Sequence, residues 1–93
     1  MIEIGRIHLE DKNSPRKAFY QLILLQSETG VYLVEKRSGA KGMVLDRRVW
    51  EKPSREKACK MLSRIVKRKT NPYRKSPRHY RVICSMFKIQ ENI

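Results

Sequence analysis

Residues 53–70 read Pro-Ser-Arg-Glu-Lys-Ala-Cys-Lys-Met-Leu-Ser-Arg-Ile-Val-Lys-Arg-Lys-Thr, and this is the stretch of the chain with a clear helical period. Ala58, Met61, Leu62, Ile65 and Val66 recur at the spacing that puts apolar side chains on one side of a helix. Ser54 stands where a side-chain oxygen caps the first turn, and Asn71-Pro72 ends the helix, because the residue before a proline is pushed out of the α region. The opposite side of the same helix reads Lys57, Lys60, Arg64, Lys67 and Arg68, and after Glu56 no acid follows to pair with them. Two readings fit this stripe. One is a phosphate-binding face, and the other is a solvated face whose lysines complement the helix dipole.

Working outward, the remainder of the chain has the period of strands. Residues 1–9 alternate loosely with Gly5 as an interruption, and residues 10–17 form a loop. Residues 19–25 divide Tyr20, Leu22 and Leu24 from Phe19, Ile23 and Leu25, which makes a central strand with two apolar faces. Ser27-Glu28-Thr29-Gly30 supplies turn chemistry before a strand over residues 31–36. Two glycines in residues 37–42 predict a loop there, followed by a strand over residues 43–50. Beyond the helix, a basic loop leads to His79 and a closing strand over residues 80–89. The expectation is a single α+β domain spanning residues 1–93, an antiparallel sheet of four to five strands with one α-helix packed on one face.

The 93 residues carry 22 Lys and Arg against 9 Asp and Glu, a formal charge of +13. Residues 41–81 hold 15 of the basic residues with Asp46, Glu51 and Glu56, a local +12, while the rest is near neutral. Such a charge calls for an anionic partner, nucleic acid before all others. A membrane surface is disfavoured, since no run of 18 apolar residues, secretory h-region or lipidation motif occurs. The expected location is the cytoplasm, nucleoid or nucleus. Cys59 and Cys84 read as reduced core residues rather than a disulfide framework. His8 and His79 lack a nucleophile partner in any local pattern, and the spacings of the Cys and His residues do not suit a metal, so no catalytic, metal or cofactor site is expected. The Gly39-Ala40-Lys41-Gly42 stretch lacks the full phosphate-loop spacing and joins two strands, so it reads as a hairpin loop.

The order of motifs resembles the WGR domain, a module named for a Trp-Gly-Arg signature and found in DNA-dependent poly(ADP-ribose) polymerases and stand-alone bacterial proteins. Asn13 followed by Ala18-Phe19-Tyr20-Gln21-Leu22-Ile23-Leu24-Leu25 is similar to the family's opening, and Gly30-Val31-Tyr32-Leu33-Val34 to its second strand. Trp50 with Ser54-Arg55-Glu56-Lys57-Ala58 resembles its helix entry. Lys69-Thr70-Asn71-Pro72-Tyr73 resembles its helix end, and Pro77-Arg78-His79-Tyr80 its lead into the last strand. The departure is the signature itself, where Ser38-Gly39-Ala40 stands in place of Trp-Gly-Arg. The resemblance implies DNA binding, and the departure removes the two side chains that would engage a ribose and phosphate near a 5′ end.

What remains is a candidate set for backbone contacts. Lys36, Arg37, Gly39 and Lys41 belong to the signature loop, with Gly39 and Gly42 letting backbone approach a phosphate. Arg64, Lys67 and Arg68 belong to the helix, and Arg74, Lys75, Arg78 and Tyr73 to the basic loop. Tyr73 can stack on an exposed base or sugar, whereas Tyr80 reads first as a core residue, with stacking as its alternative. The leading reading is a non-enzymatic module that grips DNA, at ends, nicks or continuous duplex, or RNA, with weak sequence specificity. The alternative is a protein-interaction module whose basic face docks on an acidic partner in a DNA-processing complex.

Overall fold

The computed structural model describes residues 1–11, 13–73 and 79–87. Five strands and one helix follow in the order β1 (Ile2–Glu10), β2 (Ala18–Gln26), β3 (Tyr32–Ala40), β4 (Met43–Lys52), α1 (Arg55–Thr70) and β5 (Arg81–Phe87). The strands make one antiparallel sheet in the order β4-β3-β2-β1-β5. The expected α+β fold, with one helix packed on the sheet, is the fold observed.

β2 lies at the centre because both of its faces are apolar. Tyr20, Leu22 and Leu24 join Ile7, Leu9, Val34, Ala58, Leu62, Ile65 and Tyr80 in the core under α1. On the uncovered side, Ile23 is just as buried. The helix meets the sheet through Ala58, Leu62 and Ile65, with Met61 and Val66 half-buried at the margin. The Ser54 hydroxyl accepts from the Lys57 amide at 3.2 Å and caps the first turn.

The β3–β4 connection differs from expectation. β3 runs on to Ala40, so Lys36, Arg37 and Gly39 are strand residues, and the turn is the pair Lys41-Gly42 with φ of 54° and 79°. Two successive positive φ values are what a two-residue turn needs to match the twist of its strands. Gly39 is required for another reason: β4 bulges opposite it, between Val44 and Asp46, and a Cβ there would overlap the Met43 carbonyl oxygen. Its missing side chain makes room for β4.

One further expectation changes and one is met. Cys59 packs beside the core, but Cys84 is exposed, because β5 is an edge strand with all seven residues exposed. Tyr80 is a core residue, its ring edge-on to Tyr20 at 5.9 Å between centroids.

Candidate nucleic-acid interface

Register decides which side of the sheet each charge occupies. Across β2, β3 and β4, Leu22 pairs with Lys36 and Lys36 with Arg48, while Tyr20 pairs with Ser38 and Ser38 with Asp46. Since Tyr20 and Leu22 face α1, so do Lys36, Ser38, Asp46 and Arg48. Lys36 is ion-paired with Asp46 and holds its Nζ 5.6 Å from the centre of the Tyr20 ring. From the last turn of α1, Lys69 places its Nζ 4.8 Å from the same ring. Arg48 lies 5.7 Å from the ring of Trp50, its neighbour two residues on. Cations this close to an aromatic face are held by its quadrupole.

These groups adjoin the exposed stripe of α1, where Lys57, Lys60, Arg64, Lys67 and Arg68 face solvent. On this side Asp46 is engaged by Lys36 and Glu56 is paired with Lys60 at 3.3 Å, while Asp11, buried just after β1, lines a pocket with Thr70 and Tyr80. The Lys36 ammonium holds the Asp46 carboxyl below its ordinary value, which keeps that pair ionised. Burial pushes the Tyr20 phenol up to about 12 against the opposing pull of Arg68, so the ring floor of the cluster is neutral at physiological pH.

The other side of the sheet is balanced. Glu35, almost wholly buried there, accepts from Arg47 at 3.1 and 3.2 Å and from Arg37. The Arg47 and Arg37 guanidiniums lower its pKa even though burial works the other way. Arg6 pairs with Glu3 at 2.7 Å, and His8 with Glu10 at 2.8 Å.

The expected site is therefore divided. Lys36, Arg64, Lys67 and Arg68 share the helix side, though Lys36 is committed to Asp46. Arg37 and Gly39 fall on the opposite side, and Arg37 is committed to Glu35. Lys41 sits at the turn between β3 and β4. Tyr73 follows the helix and is 90% exposed, its amide donating to the Asn71 side chain. Arg74, Lys75 and Arg78 lie outside the described residues. Sequence reasoning missed Arg48 and Lys69, although the parity that puts Trp50 in the core also puts Arg48 beside it. Ser38 and Ala40, where the WGR signature would have tryptophan and arginine, pair with Tyr20 and Ala18 at the end of the helix side.

No family model, curated protein or solved structure matches the chain. Among the described residues, no group of three or more His, Cys, Asp and Glu is placed to hold a metal ion, and no helix is long and apolar enough to cross a membrane.

Proposed function

We propose that the chain is a non-enzymatic nucleic-acid-binding module of WGR type that grips backbone phosphates with its helix side. The observation that carries this reading is the segregation of charge. The α1 stripe continues into Arg48, Lys69 and Lys36 on one side of the sheet, while the acids of the other side match its arginines. Side chains aimed at phosphates supply affinity without reading bases, so binding is weakly sequence-specific. DNA is the favoured partner, in keeping with the motif order of the sequence.

The test is fluorescence anisotropy with a labelled closed DNA hairpin and its RNA counterpart. Replacing Arg64, Lys67 and Arg68 together by alanine weakens binding tenfold or more. It also makes the plot of log affinity against log salt shallower by about 0.9 for each phosphate that the variant no longer neutralises. Arg37→Gln, on the opposite side, leaves both nearly unchanged. Equal losses from the two variants would refute the helix-side grip. If polyglutamate competes as well as DNA, the acidic-protein reading takes its place.

A further inference from the structure

On the uncovered side of the sheet, between the β1–β2 loop and the β3–β4 turn, lies a cleft of about 940 Å³. His8, Glu10, Asp11, Lys17, Phe19 and Lys41 are among the residues lining it. It lies across the sheet from the helix-side cations, and the grip proposed above makes no use of it.

Its floor is a fixed ring pair in which Phe19 is buried and His8 partly open. The rings of His8 and Phe19 are stacked with centroids 6.0 Å apart and planes 22° from parallel. The Gln21 amide donates to His8 Nδ1 at 3.2 Å, and Nε2 donates to Glu10 at 2.8 Å, so the imidazole is held at both nitrogens. Its side chain is 24% exposed, which leaves part of the ring open to solvent.

Two lysines stand at the margin, both in left-handed backbone, Lys17 with φ of 52° and Lys41 with φ of 54°. Their turns are tied together, since the Lys41 amide donates to the Arg16 carbonyl at 3.0 Å. Glycine or asparagine occupies that conformation at less cost, so lysine at both positions points to a use for the two ammonium groups. Among the described residues, Glu10 keeps a second carboxylate oxygen beyond the one bonded to His8, on a side chain 45% exposed.

We propose that this cleft binds one nucleoside monophosphate moiety. The base lies on the open part of the His8 ring, which Phe19 backs, the phosphate takes Lys17 and Lys41, and Glu10 accepts from an amino or hydroxyl group of base or sugar. The volume lies within the range of small-ligand sites, and stacking on a fixed ring costs little order. The moiety is a free nucleotide or an unpaired residue of a strand. The site does not depend on the helix-side grip.

The experiment follows the His8 and Phe19 ring signals by NMR as the full chain is titrated. The probes are adenosine 5′-monophosphate, adenosine, inorganic phosphate, a fully paired DNA hairpin and the same hairpin with one extrahelical adenosine. Adenosine 5′-monophosphate or the bulged hairpin shifts both rings, and the nucleotide binds at least tenfold more tightly than adenosine or phosphate alone. Which of the two shifts them identifies the source. Lys17→Gly with Lys41→Asn weakens this binding tenfold or more while raising the urea midpoint, since both changes relieve positive φ. A loss of binding in a more stable protein cannot come from unfolding. The proposal is overturned if neither probe moves the rings, if phosphate alone binds as well, or if the double variant binds as tightly as the parent. A paired hairpin that fails to bind while the nucleotide shifts the rings removes the helix-side reading and leaves this site standing.

Discussion

Glu35 sits in β3 on the side of the sheet that no helix covers, yet its side chain is only 5% exposed, with Arg37 and Arg47 over it. The two guanidiniums outweigh the cost of burial and depress its pKa. A carboxylate with a depressed folded pKa adds stability that is present above its unfolded value, about 4.3, and is lost as pH falls through the folded one. Glu35→Gln is therefore expected to lower stability at pH 7 by about 1 to 2 kcal/mol, the modest part of the range because both arginines stay partly solvated. The difference from the parent shrinks below pH 4, as urea midpoints across pH would record. Tyr20 is the mirror case. Its phenol, raised to about 12 by burial, keeps its contribution below pH 10 and loses it as pH rises through 12. Ultraviolet titration is expected to show a tyrosine ionising near 12 that Tyr20→Phe abolishes.

At the scale of the element, α1 is held by three side chains and a cap. Leu62 is 3% exposed, so Leu62→Ala costs about 2 to 5 kcal/mol in denaturant unfolding. The β3–β4 hairpin is held by backbone fit instead. Because a Cβ on Gly39 meets the Met43 carbonyl oxygen, Gly39→Ala forces β4 to shift, and hydrogen exchange is expected to accelerate along β4 while β1 and β2 stay protected. Retained protection in β4 would show that the bulge absorbs the methyl. Gly5 has a similar origin at the other edge, where the Phe87 ring of β5 occupies the space of a Cβ.

At the scale of the molecule, register sorts the charged side chains of the described strands between the two sides of the sheet. With about five helix-side cations on phosphates, the logarithm of DNA affinity is expected to fall against the logarithm of salt with a slope of about −4 to −5. A flat response would instead point to stacking or a protein partner as the source of affinity. The edge strands complete the picture. β4 exposes Met43, Val44, Leu45 and Val49, and β5 exposes Val82, Ile83, Met86 and Phe87. The net charge opposes edge-to-edge association of like chains until an anion neutralises it.

The sequence by itself determined the helix, its cap, its buried face and the central place of β2. These follow from local period and capping chemistry, which any window of the chain displays. It also located the basic half of the protein. It did not determine where β3 ends, because a positive-φ pair at Lys41-Gly42 and a bulge facing Gly39 are consequences of strand pairing. Nor did it separate Lys36 from Arg37. Adjacent strand residues point to opposite sides, so register alone sends one to Asp46 and the α1 side and the other to Glu35 and the uncovered side. Arg48 and Lys69 joined the candidate site once the sides of β4 and the seat of α1 were set. Arg48 lies beside Trp50 by the alternation of β4 alone, but Lys69 meets Tyr20, distant in sequence, only where α1 packs on the sheet.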